Sequence, residues 1–177
     1  MIQTNEDLFE FLYQWHRARP GELCLPETAI PNGLPGVLQR AYAAIGLLTR
    51  RRSPFNPGNQ NGCPLGTQDC LFEPEQLKIE DGLVRFVTEN QGCWDCYVSV
   101  SEDDPEVFST ALHSLGRSET KLTPIGSKLS DFLITFCLQE TVMSGLTKHA
   151  IMLSDDDERY QKISSEPIWL RGCPEFS

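Results

Sequence analysis

Between Leu77 and Val107 the chain alternates apolar and polar residues in short runs separated by turn-forming residues, which restricts its centre to antiparallel strands. Leu77 and Ile79 fall at alternate positions, as do Val84 and Phe86, and Glu80-Asp81-Gly82 between them supplies the residues of a tight hairpin turn. Strands are expected at about 76–80, 83–89 and 94–100. Asp103-Asp104-Pro105 then forms an acidic turn, with proline where its fixed φ suits the backbone. A β-meander is the expected centre of the fold.

Helical spacing brackets that centre. Thr4 and Asp7 form a capping pair, and Leu8, Phe11, Leu12 and Trp15 share one face of a helix over 5–18 that Pro20-Gly21 stops. Pro35 opens a second helix through Leu38, Tyr42 and Ile45, which Gly46 closes. The prolines and glycines of 53–66 predict a loop. Val107, Ala111, Leu112 and Leu115 predict a short helix from Glu106 to about Leu115. Ser130 as N-cap, with Asp131 in the first turn, opens the strongest helix, whose Leu133, Phe136, Cys137 and Leu138 face inward as far as Ser144-Gly145. Ile151–Leu153 and Ile168–Leu170 read as short strands. The expected class is α+β: a twisted, largely antiparallel sheet of about five or six strands with helices packed against it. A chain of 177 residues fits one domain, 1–177, and buries roughly 70% of its unfolded surface.

Charge and cysteine usage narrow the function classes. The formal charge of −10 is uneven: residues 1–88 hold 8 Lys or Arg against 10 Asp or Glu, whereas 89–177 hold 7 against 15. Such a field repels nucleic acid and anionic membranes and steers a basic partner inward, although acidity also serves solubility alone. The longest apolar run, Phe132 to Leu138, is too short to span a membrane. The first residues, Met1-Ile-Gln-Thr-Asn-Glu-Asp, lack the features of a secretory leader, so a cytoplasmic location is expected. Seven irregularly spaced cysteines then read as reduced thiols rather than a disulfide framework.

Chemistry-bearing patterns are sparse. Cys93-Trp94-Asp95-Cys96, with Cys63 and Cys70, invites a four-thiolate zinc site, but residues three apart on an extended strand point to opposite faces. His16, His113 and His149 are scattered and lack metalloprotease spacing. No nucleophile elbow, phosphate loop or dinucleotide fingerprint occurs, and no catalytic residue, metal or cofactor is assigned. Pro57–Gly62 reads as a plain loop and Arg50-Arg51-Arg52 as a solvated helix end, too small to hold nucleic acid. Asp155-Asp156-Asp157-Glu158 lacks the alternating ligands of a calcium loop, and is either solvated or part of a partner-binding face.

Phe86-x-x-Glu89-Asn90-Gln91-Gly92 followed by Trp94, then Asp103-Asp104-Pro105-x-Val107, then Leu129-Ser130-Asp131-Phe132-Leu133 form an ordered series of weak motifs. Leu34-Pro35-Gly36-Val37-Leu38, running into Ala41-Tyr42 and Gly46, precedes them. The series resembles the SUKH superfamily, which contains fungal cell-wall assembly regulators and bacterial immunity proteins. The resemblance spans about residues 27–143, leaving the N-terminal helix and the tail 146–177 peripheral. It departs from the family in the Arg-, Pro-, Gly- and Asn-rich stretch 50–70 and in having Glu106 where a second proline is common. It implies a non-catalytic protein-binding domain, an immunity protein that binds and neutralises a toxin. Toxins answered by such proteins include nucleases with basic clefts. The candidate acidic face is Glu102, Asp103 and Asp104 with Asp155, Asp156, Asp157 and Glu158. The alternative is a signalling or scaffolding adaptor that binds a host protein through the same fold. Phe86, Glu89, Asn90, Gln91, Gly92, Trp94 and Pro105 are expected to be structural, with Asn90 and Gln91 bonding their own backbone and Trp94 filling the core.

Overall fold

The computed structural model describes residues 2–50, 63–110 and 121–143. The strands expected at 151–153 and 168–170, the segment Asp155–Glu158, the loop Pro57–Gly62, His113 and His149 lie outside them.

Helix α1 (Asn5–Trp15) opens on the expected capping box: Thr4 Oγ1 accepts the Asp7 N–H and the Asp7 carboxylate accepts the Thr4 N–H. It ends earlier than Pro20 demands, because Arg17 takes a left-handed φ of 54°. Helix α2 (Gly36–Ile45) follows Pro35 and buries Val37, Leu38, Ala41, Tyr42 and Ile45. Gly46 does not close it by a left-handed turn. The chain runs on into a 3₁₀ turn, and Gly46 is needed because a Cβ there would strike the Leu25 side chain. Helix α3 (Leu129–Met143) buries Leu133, Ile134, Phe136, Cys137, Leu138, Glu140 and Thr141, more than one face, because it packs against α1 and α2 as well as the sheet.

Among the described residues the sheet has six strands: β1 (Asp69–Leu71), β2 (Ile79–Glu80), β3 (Leu83–Glu89), β4 (Asp95–Ser99), β5 (Glu106–Ser109) and β6 (Thr123–Lys128). Their order is β1-β3-β4-β5-β6, with β2 also on β3, and every pairing is antiparallel. This is the α+β class and the central meander read from the sequence. The expected strand at 76–80 shrinks to Ile79–Glu80, because Pro74–Gln76 forms a 3₁₀ turn closed by the Gln76 side chain on the Glu73 N–H. The start of the helix expected from Glu106 to about Leu115 is corrected, and residues 111–115 lie outside the described residues. Glu106–Ser109 is strand β5, with Val107 and Ser109 buried and Glu106 exposed, a two-residue alternation that four residues cannot distinguish from a helical face.

Between Arg85 and Val87 the β3–β4 register shifts, so that Arg85 pairs with Tyr97 and Val87 with Cys96 while Phe86 is the extra residue. The bulge lets Phe86 and Val87 both be buried, where strict alternation would expose one of them. Phe86 meets Phe132 edge-on at 5.4 Å, and Phe132 stacks on Phe136 at 5.8 Å, fixing α3 on the sheet. A second irregularity sets Ile125–Ser127 of β6 against the single Val107 of β5, with Gly126 at φ 72°.

Candidate protein-binding surface

The acidic turn between β4 and β5 is where three separated parts of the chain meet. The Val37 N–H donates to the Asp103 carbonyl at 3.0 Å, and Arg40 one turn later holds the Asp103 carboxylate at 2.9 Å. Gly36 leaves room for that carboxylate, which a Cβ would strike. The Arg40 guanidinium draws the Asp103 carboxyl below its ordinary pKa, and Asp103 raises that of Arg40. On the other side, the Asp104 carboxylate accepts the Ser130 N–H and hydroxyl, and the Leu129 N–H donates to the Pro105 carbonyl at 2.9 Å. The start of α3 is therefore capped by Asp104 from the turn, and Ser130, expected as the cap, is a donor inside the helix. Glu102 reaches Lys128 of β6 at 3.6 Å.

Of the three acidic residues nominated in this turn, Asp104 is half-buried with both oxygens engaged. Glu102 and Asp103 are more available. The side chains of Asp103 and Arg40 are 67% and 56% exposed, and pairs so exposed contribute little to stability. The hairpin turn from β2 to β3 lies against this region, since the Val100 N–H donates to the Gly82 carbonyl at 3.0 Å. That contact brings exposed Glu80 and Asp81 to the same end of the sheet as Glu102, Asp103 and Glu106.

A groove of about 480 Å³ runs from there along the sheet face opposite the helices, lined by Phe72, Gln76, Lys78, Glu80, Asp81, Leu83, Arg85 and Tyr97. Its floor is organised by Arg85, whose guanidinium sits 4.9 Å from the Phe72 ring centroid and bonds Asp95 at 3.2 Å. Burial, then the Asp95 charge, pushes the Tyr97 phenol above its ordinary pKa. Arg85, Tyr97, Phe108 and Pro124 stand in register across β3 to β6, an aromatic-bearing row on that face.

No family model, no curated protein and no solved structure matches the chain.

The remaining nominated residues organise the fold. The Glu89 carboxylate accepts the Gln91 and Cys93 N–H groups at 2.8 and 3.0 Å, and Gly92 takes φ 73° to close the turn. Glu89 thus does the bonding expected of Asn90 and Gln91, which are exposed. Trp94 packs half-buried against the core edge rather than filling it. Phe86 and Pro105 are buried. Cys93 is exposed and Cys96 buried, so strand geometry splits the Cys-x-x-Cys pair, and among the described residues no three metal-ligating side chains converge. Arg51 and Arg52 lie outside the described residues, but Arg50 is not a solvated helix end: it makes two 2.6 Å bonds to Glu75 and one of 2.9 Å to Glu73. Among the described residues, no helix is long and apolar enough to cross a membrane.

Sequence reasoning missed the groove residues Lys78, Arg85 and Tyr97 and the acidic pair Glu80 and Asp81. For Arg85 and Tyr97 the signal was the polar half of the β3 and β4 alternation, which marks a face without saying what lies on it.

Proposed function

We propose that the chain is a non-catalytic, SUKH-like protein-binding domain, an immunity protein that binds and neutralises a basic toxin in the cytoplasm. The observation that carries this reading is the gathering of Glu80, Asp81, Glu102, Asp103 and Glu106 at one end of the sheet, with Glu80 and Asp81 also lining the groove beside Tyr97 and Leu83. A basic loop entering there finds carboxylates at the rim and an aromatic wall for the aliphatic stem of a lysine or arginine. Charge on an exposed rim accelerates encounter more than it tightens the final complex, so association is fast and salt-sensitive. The acidic field disfavours nucleic acid and anionic membrane as direct ligands.

The test is affinity capture of the tagged chain from extract of its source cells at low salt, then high, with mass spectrometry of what is retained. One basic protein held near one-to-one and released by salt supports the reading, whereas a heterogeneous or acidic set favours an adaptor. With that partner purified, Glu80→Lys/Asp81→Lys and Glu102→Lys are expected to slow association roughly ten-fold or more while leaving the folded far-ultraviolet spectrum intact. Unchanged association sinks the acidic-face assignment.

A further inference from the structure

Cys63 and Cys70 bracket the loop that leads into β1. The Cys63 thiol lies within hydrogen-bonding reach of the Cys70 thiol, and both sulfurs crowd the same side of Gly66. A Cβ on Gly66 would strike the Cys63 sulfur and come within 3.6 Å of that of Cys70, so glycine makes the room in which the sulfurs meet. The rest of the loop is firmly seated. Leu65 is fully buried, its N–H donates to the Leu48 carbonyl at 3.0 Å, and the N–H groups of Thr67, Gln68 and Asp69 converge on the Glu140 carboxylate at 2.7, 2.8 and 3.0 Å. Two thiols are thus held together by a scaffold that does not depend on a bond between them.

We propose that Cys63 and Cys70 are a dithiol that closes reversibly to an intramolecular disulfide by exchange with a low-molecular-weight disulfide such as oxidised glutathione. Cys63 is buried and Cys70 only partly so, which makes Cys70 the point of entry. Its thiolate attacks one sulfur of the small disulfide, forming a mixed disulfide and releasing one small thiolate. Cys63, losing its proton, then attacks the Cys70 sulfur and expels the second small thiol. The protein gives up two electrons and two protons, and the small disulfide is reduced to two thiols. The hydrogen bond to the Cys70 sulfur, then burial, holds the Cys63 thiol above its ordinary pKa, which slows the second step and favours order of attack from Cys70.

The bridge closes a loop of eight residues that feeds β1, removing freedom from the unfolded chain and tying down the strand at that edge of the sheet. The experiment equilibrates the purified full chain in reduced and oxidised glutathione mixtures, maps disulfides by mass spectrometry of non-reduced digests, and records thermal unfolding of each form. The expected result is a 63–70 linkage that dithiothreitol reverses and a thermal midpoint raised by about 5 °C on oxidation. Cys70→Ser and Cys63→Ser are each expected to abolish that rise, and Cys93→Ser to leave it intact. Glutathione remaining on Cys70, linkage of either residue to another cysteine, or both thiols staying free would overturn the proposal. The mapping on the unaltered chain decides even if a serine variant fails to fold.

Discussion

The carboxylate of Asp104 accepts the backbone N–H of Ser130 at 2.9 Å and its hydroxyl at 2.8 Å, joining the β4–β5 turn to the first turn of α3. A helix start leaves N–H groups without intrahelical partners, and here the acceptor comes from 26 residues away. Asp104→Ala removes both bonds and is expected to cost about 1–2 kcal/mol, whereas Ser130→Ala removes one and costs about half as much. Denaturant midpoints of the two single variants and the double variant check this, with the double expected to cost little more than Asp104→Ala alone.

Glu140 is fully buried on α3, and its carboxylate takes the three backbone N–H groups of Thr67, Gln68 and Asp69. Removing the acceptor strands three donors, that of buried Asp69 and those of half-buried Thr67 and Gln68. Glu140→Ala is expected to destabilise the chain by about 3 kcal/mol or more, with hydrogen-exchange protection lost first at residues 67–71.

The same carboxyl gives stability a distinctive pH dependence. Burial raises its pKa above the ordinary range, against the pull of the three N–H donors, so the folded chain holds that proton more tightly than the unfolded one. Its contribution is full below about pH 4.5 and is lost as pH rises through the folded value. The gap in urea midpoint between the unaltered chain and Glu140→Gln is therefore expected to narrow between pH 4 and pH 7. Asp7 and Glu75 act in the opposite sense. Backbone N–H groups of Gln3 and Thr4 lower Asp7, and Arg50 lowers Glu75, so their contributions are lost as pH falls below about 4.

Gly36 tests the junction of α2 with the acidic turn. Alanine there places a methyl where the Asp103 carboxylate sits, and that exposed side chain can swing away from Arg40 at small cost. Gly36→Ala is expected to leave the fold intact while the Asp103 pKa, held down by Arg40, returns to its ordinary value. Carboxyl chemical shifts followed through an acid titration provide the readout.

The meander and the three helices were legible because each rests on local chemistry: Gly82 in a hairpin turn, Thr4 and Asp7 in a capping box, Pro35 ahead of α2. Strands β1 and β6 were not, since Asp69–Leu71 is too short to show a period and Pro124 and Gly126 make Thr123–Lys128 read as loop. Val107 suited a helical face as well as a strand until its pairing with Val98 was seen. The candidate surface was half legible. Glu102 and Asp103 announce themselves as charge in a turn, but the commitment of Asp104 to Ser130 and the approach of Gly82 to Val100 are long-range contacts that leave no periodic trace.

Pro124 has a further consequence. It lies in β6, the outermost strand on that side among the described residues, opposite Phe108, where it can donate no N–H, and Gly126 with its left-handed φ breaks the run two residues on. A neighbouring molecule meeting that rim finds no continuous ladder to extend. Among the described residues, the β6 rim is therefore a poor template on which a second copy of the chain could add a strand.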